Sequence, residues 1–262
     1  MRSYFLLAVV LACGFLSCQK EPDAEQFIEP ACKVDQIIFY GNAPDIDTIN
    51  ITYNGDQVSR VDYPTLYIVP EYANGLVSKR NIYLQGSTDL AAYEAYTYNP
   101  DSTVGRVVTY ILTPGLDVPY PAYENVFTWS GGKLTRLELN IDTAGNGMAP
   151  IVDNQYTYTD DNITQAVQTD FEFQFVKTVN YTYDANLNYY GKNRMLWLTD
   201  LVFADFNALT LPFALSANNV VSFYEDDPGS TIAVTYDSTD KEDIKALRFD
   251  GAPVSTYRYK CQ

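Results

Sequence analysis

The acidic residues come first, because the chain offers few other groups for chemistry. Histidine is absent. That removes the usual general base near neutral pH and the commonest metal ligand. Triads built on histidine are closed to this chain by itself, whereas carboxylate-pair, lysine or tyrosine chemistry stays open. Acids cluster at Glu225-Asp226-Asp227 and at Asp240, Glu242 and Asp243. A glycosidase needs two carboxylates facing each other across a sugar, about 5–9.5 Å apart. These acids sit instead beside Pro228-Gly229 and Ser238-Thr239, which marks them as solvated loop tips. Asp184-Ala185-Asn186-Leu187-Asn188 has the opening of a calcium loop, but that loop requires Gly at its sixth position and Glu at its twelfth. Tyr189 and Met195 stand there, so the segment reads as a hairpin turn rich in Asn and Asp. No Gly-rich phosphate loop, zinc spacing or nucleophile elbow is present. No catalytic residue, metal ligand or cofactor is assigned.

The four cysteines, Cys13, Cys18, Cys32 and Cys261, carry the other chemistry. Met1-Arg2-Ser3, an apolar run from Tyr4 to Leu16 and Ser17-Cys18 describe a secretory signal. The run is too short to span a bilayer as a helix, which takes about 20 apolar residues. Leu16-Ser17-Cys18 resembles the bacterial lipobox, which implies cleavage before Cys18 and a diacylglycerol thioether on its sulfur. Phe15 stands where the pattern prefers an aliphatic residue. Val10-Leu11-Ala12-Cys13 also fits the pattern but leaves a very short apolar core. Gln19-Lys20-Glu21-Pro22-Asp23 resembles the export tag of Bacteroidetes surface lipoproteins, and such a composition equally suits a solvated tether. The expected organisation is a signal over 1–17, a flexible tether over 18–30 and one domain over 31–262. The expected location is the outer membrane, lipid-anchored and facing the exterior.

Cys32 and Cys261 then bracket the domain in an oxidising compartment where disulfides persist. They are expected to pair; two free thiols are the alternative. Asp47-Thr48-Ile49 and Asp142-Thr143-Ala144 resemble the Asp-Ser/Thr-aliphatic sites that Bacteroidetes O-glycosylate, which marks Thr48 and Thr143 as modification candidates. Net charge is -16. Residues 1–17 remove only Arg2, leaving 16 Lys and Arg against 33 acids, or -17 for the mature chain. Such a charge repels nucleic acid and anionic headgroups, so no nucleic-acid partner is expected.

The elements that must position any site are written as a recurring phrase of aromatic or aliphatic residue, usually Thr, then aromatic, then a turn. Ile51-Thr52-Tyr53 precedes Asn54-Gly55, and Tyr96-Thr97-Tyr98 precedes Asn99-Pro100-Asp101. Phe127-Thr128-Trp129 precedes Ser130-Gly131-Gly132-Lys133, Tyr156-Thr157-Tyr158 precedes Thr159-Asp160-Asp161, Tyr181-Thr182-Tyr183 precedes Asp184-Ala185-Asn186, and Val234-Thr235-Tyr236 precedes Asp237-Ser238. Period-two alternation of β-branched and aromatic residues signals strands, and the breaks signal hairpins. Lys133 to Leu139 is the cleanest second strand, with leucines on one face and polar residues on the other. A further hairpin is expected around Asn74-Gly75. Joined hairpins make a long antiparallel meander that must curl, because wide sheets twist. Tyr at both outer positions of a phrase makes one strand face aromatic, which suits the concave side of a curled sheet.

One stretch, about 188–219, breaks the pattern. Met195, Leu196, Leu198, Leu201, Val202, Phe203, Phe206 and Leu209 make it the greasiest part of the mature chain. It reads as a helical or irregular plug against the inner face, with a lid over a ligand cavity as the alternative.

Taken in order, the Tyr-Thr-Tyr-Asp phrases, Asn188 to Gly191, Asn218 to Ser222 and Tyr257 to Cys261 resemble a group of uncharacterised Bacteroidetes lipoproteins. These carry hairpin repeats reminiscent of YD repeats and are described as domains of unknown function with a porin-like or curled-sheet fold. The resemblance implies fold and address and brings no activity. The fold class expected is all-β: a strongly curved meander, half-open and barrel-like, with one apolar insertion. The function expected is a non-catalytic surface module that binds a glycan or an envelope protein. A carboxylate-based hydrolase and a structural envelope protein remain the alternatives.

Overall fold

The computed structural model describes residues 32–40, 46–112, 118–142, 147–188, 211–238 and 244–261. Sixteen strands follow one another: β1 (Cys32–Tyr40), β2 (Ile46–Asn54), β3 (Gln57–Asp62), β4 (Leu66–Ala73), β5 (Leu76–Leu84), β6 (Leu90–Tyr98), β7 (Val104–Ile111), β8 (Tyr120–Ser130), β9 (Lys133–Asp142), β10 (Met148–Thr159), β11 (Asn162–Asp170), β12 (Phe175–Leu187), β13 (Asn218–Glu225), β14 (Ile232–Ser238), β15 (Ile244–Phe249) and β16 (Ala252–Cys261). A short helix, α1 (Leu211–Leu215), precedes β13. By Cα proximity Lys33–Lys260 form one compact unit, and residues 1–32 with 261–262 form another. Nearly all of the second unit lies outside the described residues.

Each strand pairs with its sequence neighbours and β16 pairs with β1, so the meander is a closed barrel. The half-open shape expected from the sequence is therefore corrected to closure. The physical reason is that a sheet left open after sixteen strands would expose two rows of unpaired backbone groups, and closure removes both edges. Because the strands alternate in direction, β1 begins and β16 ends at the same rim, called here the near rim. The turns at Asn54-Gly55, Asn74-Gly75, Gly131-Gly132 and Asp160-Asp161 lie at that rim as well. The β6–β7 turn at Asn99–Thr103 lies there too, whereas the connections from odd to even strands, among them Asp170–Phe175 and Asp226–Thr231, lie at the far rim.

The near-rim turns follow from residue type. Asn74 and Gly75 both have positive φ (54° and 80°), which is the backbone of a tight two-residue hairpin turn and explains Asn-Gly there. The hairpin expected around these residues is β4–β5. The turn expected at Asp184-Ala185-Asn186 is instead an irregular extension of β12. Its pairing with β13 jumps from Tyr183 to Leu187, and Asp184 holds the Asn186 N–H at 2.9 Å.

Register corrects the strict alternation read from the sequence. Trp129 faces Leu134 and Thr128 faces Arg136, so Thr135 is left over as a β-bulge. The same one-residue offset follows Tyr53, Tyr72, Tyr98, Tyr158 and Tyr183. A bulge moves the next side chain to the opposite face. That is why buried residues recur three apart, as Val58 and Val61, Val104 and Val107, Leu134 and Leu137, or Val220 and Phe223. Without the extra residue, Leu134 and Leu137 would point to opposite sides of the wall.

The inner side is packed. Ile37, Ile51, Ile68, Phe127, Leu137, Ile163, Val179, Phe223, Val234 and Tyr257 belong to one apolar cluster that draws on strands all round the barrel. Leu211 and Phe213 of α1 join it, with Phe213 against Phe223 and Phe249 at 6.2 and 5.9 Å between ring centres. The C-terminal end of the apolar insertion thus lies in the core; residues 189–210 are outside the described residues. Each fully buried aliphatic side chain contributes about 1.5–3 kcal/mol.

The outer side is mainly polar, with stacked tyrosines Tyr67–Tyr83 and Tyr93–Tyr110 lying under Arg60 and Lys79. The Thr of the phrase faces outward opposite a cation at Thr52–Arg60, Thr97–Arg106, Thr128–Arg136 and Thr235–Arg248. Arg136 holds Asp153 at 2.8 Å and Glu138 at 2.9 Å, Arg248 holds Asp237 at 2.9 Å, and Arg106 pairs with Glu124. A barrel immersed in lipid shows the reverse, an apolar outer band and a polar lumen.

Candidate functional site

The phrase aromatics build the near rim. In β2, β4, β6, β8, β10 and β12 an aromatic near the strand end lies next to the bulge and reaches back to the preceding strand, donating to a main-chain carbonyl there. Tyr53 donates to Val34 (2.8 Å), Tyr72 to Val58 (2.9 Å) and Tyr98 to Val77 (2.7 Å). Trp129 Nε1 donates to Val104 (2.7 Å), Tyr158 to Leu134 (3.0 Å) and Tyr183 to Ile163. The rings of Tyr53, Tyr98, Trp129, Tyr158 and Tyr183 pack on the core while each polar tip occupies a carbonyl, the arrangement aromatic residues with a polar handle favour when buried. Burial pushes the hydroxyls of Tyr53 and Tyr158 up to about 12, so all these groups stay protonated donors.

Five of the six are Tyr and one is Trp129. Trp129 is the residue shared by two neighbouring cavities at this rim. The first, about 410 Å³, is lined by Trp129, Gly131, Gly132, Lys133, Leu134, Tyr158, Asp161, Leu215 and Ala217. The second, about 480 Å³, is lined by Asn99, Pro100, Asp101, Phe127, Thr128 and Trp129. Lys133 bridges Asp161 at 2.9 Å and sits 5.3 Å from the centre of the Tyr158 ring. Asp101 accepts from the Thr103 hydroxyl at 2.6 Å and from its N–H at 3.0 Å, and these bonds hold its carboxyl below the usual range. The cleft therefore combines flat aromatic surface with carboxylate acceptors and one neutralised cation.

A second polar group lies inside the wall. Arg80 Nε is 3.3 Å from Glu94 Oε2, and the Tyr96 hydroxyl donates to the same oxygen at 3.3 Å. Arg80 and Glu94 are 4% and 1% exposed. Burial pushes the Glu94 carboxyl up to about 7, against the pull of Arg80 and of the Tyr96 hydroxyl. Glu94 is committed to this pair and lines neither cleft.

Of the acids flagged in the sequence, Asp226 and Asp227 hold main-chain N–H groups and Glu225 pairs with Lys177. Asp226 Oδ1 accepts the Thr178 N–H and Asp227 Oδ1 the Gly229 N–H, both at 2.8 Å. Asp240, Glu242 and Asp243 lie outside the described residues, as do Cys18 and Thr143. Cys32 is the first residue of β1 and Cys261 the last of β16. Thr48 is the third residue of β2 and half-buried. The cleft itself escaped the sequence reading, because Asn99–Asp101 and Gly131–Lys133 were read as separate turns. The one available signal was a Trp where the other phrases carry Tyr.

No family model matches the sequence, and no curated protein matches it. The fold is similar to a porin-like protein from Bacteroides uniformis, with a TM-score of 0.55 at 11% identity over 87% of this chain and 96% of that one. It is also similar to a porin-like protein from Bacteroides vulgatus, with a TM-score of 0.50 at 12% identity over 88% and 99% of the two chains. At this identity the likeness speaks for the barrel fold.

Proposed function

We propose that the protein is a non-catalytic recognition barrel of the bacterial envelope, cut before Cys18, tethered to the outer membrane through lipid on that cysteine and displayed outward. The observation that carries the reading is the barrel's polarity. Its outer wall bears Thr, Arg and ion pairs while its lumen is filled with apolar side chains. Such a wall belongs in water, so membrane attachment falls to the anchor and function to what the rims present. Two porin-like structural neighbours from Bacteroides agree with an envelope setting. The cleft round Trp129 is the binding surface this reading uses.

The hydrolase alternative loses ground on the same geometry. A glycosidase keeps one carboxyl protonated beside its partner, whereas Asp101 is held below the usual range and the raised carboxyl, Glu94, is buried in an ion pair.

The anchor is tested by Cys18→Ser in whole cells. Loss of palmitate labelling and release of the barrel from the membrane fraction are expected. A variant that stays in the membrane without lipid overturns the reading. Pairing of Cys32 with Cys261 is part of the proposal, supported by their places at the start and end of neighbouring strands. In the chain-entropy model, closing a loop of 261 − 32 = 229 residues is worth roughly 5 kcal/mol. Alkylation under non-reducing conditions that labels both cysteines would exclude it. Glycosylation at Thr48 and Thr143 is carried forward on the same footing. An intact mass equal to the lipidated polypeptide alone removes it.

A further inference from the structure

We infer that the near-rim cleft is a site for a neutral oligosaccharide of at least two rings, laid across Trp129. The inference deepens the recognition reading above and rests on it.

The two cavities have Trp129 as their common wall and share no other lining residue. A single ring could occupy either cavity, but only a ligand with two linked units uses both. Each volume falls within the range of small-ligand sites. Both are open at the rim, so a chain can enter and leave at either side.

The lining chooses the chemistry. Trp129 and Tyr158 supply flat apolar faces whose positions are set by hydrogen bonds to Val104 and Leu134. Rings already held in place lose little freedom when a ligand stacks on them. Around them stand the acceptors Asp101 and Asp161 and the hydroxyl of Thr128. A pyranose matches that pattern, with C–H faces for the aromatics and hydroxyl edges for the carboxylates. Charge then narrows the class. Lys133 is neutralised by Asp161, which leaves Asp101 uncompensated among the lining residues. The cleft is therefore net negative, so uronate, sulfate or phosphate on the ligand meets repulsion. An extended peptide would gain most from an open strand edge, and the closed barrel has none.

Replacement of Tyr by Trp at this one phrase position fits a second task. Tyr serves the carbonyl tie at five other strands, so the tie alone does not call for indole. The larger ring stands where the two cavities meet.

The test is calorimetric titration of the full mature lipoprotein in detergent with one-, two- and four-ring oligomers of neutral glucan, xylan, mannan and chitin, and with oligogalacturonate. Saturable binding to one neutral class is expected, at least tenfold tighter for two rings than for one. Trp129→Phe should weaken it at least tenfold. Should that variant fail to fold, Thr128→Trp decides, because position 128 faces outward and a large ring there occupies the second cavity. It should abolish the two-ring advantage and leave one-ring binding in place.

Silence across the neutral panel overturns the inference. So does oligogalacturonate binding as tightly as the neutral oligomers, or neutral binding indifferent to both variants. A photo-crosslinker at position 128 in whole cells separates this failure from failure of the recognition reading. Crosslinking to an envelope protein with a silent panel sinks the glycan and leaves the recognition barrel. A silent panel with no crosslink sinks both.

Discussion

The two rims use aromatic residues in opposite ways. At the near rim the aromatics lie in the last residues of the strands, point inward, and give their polar tips to carbonyls of the neighbouring strand. At the far rim Phe171, Phe173, Phe175 and Val176 crowd one hairpin and stand 48%, 72%, 43% and 63% exposed. All nine large hydrophobics that are exposed among the described residues, from Leu84 to Val176, lie in or near far-rim connections. That hairpin is closed by an acid, Asp170 accepting the Phe173 N–H at 2.7 Å. Aromatic content by itself therefore says little about binding. Whether a ring is structural is decided by the wall it faces and by whether its polar tip has a carbonyl to reach.

The comparison breaks or sharpens most clearly in stability measurements. Tyr98→Ala removes a packed ring and leaves the Val77 carbonyl without its donor. It should cost roughly 2–4 kcal/mol in urea unfolding, and a loss under 1 kcal/mol would show that the girdle does not hold the near rim. Between the rims, Glu94 predicts a pH dependence. Its folded pKa is raised to about 7, so its contribution is complete below the ordinary carboxylate value and is lost as pH rises through about 7. Melting temperature should fall from pH 5 to pH 8, with a slope of at most about 1.4 kcal/mol per pH unit from this group. Glu94→Gln should flatten that slope; an unchanged slope would place the titration elsewhere.

Tyr98→Phe keeps the ring and deletes only the tie. About 0.5–1.5 kcal/mol is expected, and the difference from Tyr98→Ala separates packing from hydrogen bonding. The smallest effect belongs to the far rim. Phe173→Ser should change unfolding free energy by less than about 0.5 kcal/mol while reducing the binding of an apolar dye. A large destabilisation would mean that this hairpin is tied down after all, and the contrast between the rims would fail.

Much of the wall was legible beforehand for a simple reason. Strand, turn and outward Thr are local matters, written in residues two apart and in Asn-Gly or Gly-Gly pairs whose backbone needs positive φ. The phrases therefore marked most of the even strands and most near-rim turns correctly. The failures were all non-local. Asp184-Asn186 has turn composition, yet pairing with β13 carries β12 past it. The bulges at Ser78, Gly105 and Thr135 leave no mark that a single strand can show, because a bulge is defined by the residue opposite.

The chain's own residues thus determined an all-β meander, a negative charge, an absence of histidine chemistry and a periodic supply of aromatics. Closure of β1 on β16, the face each aromatic takes, the burial of Glu94 against Arg80 and the meeting of two turns on either side of Trp129 were decided only by the tertiary structure. The physical reason is that each depends on which strand lies next door. Alternation specifies two faces, but only pairing around the full circle settles which of them is the inside.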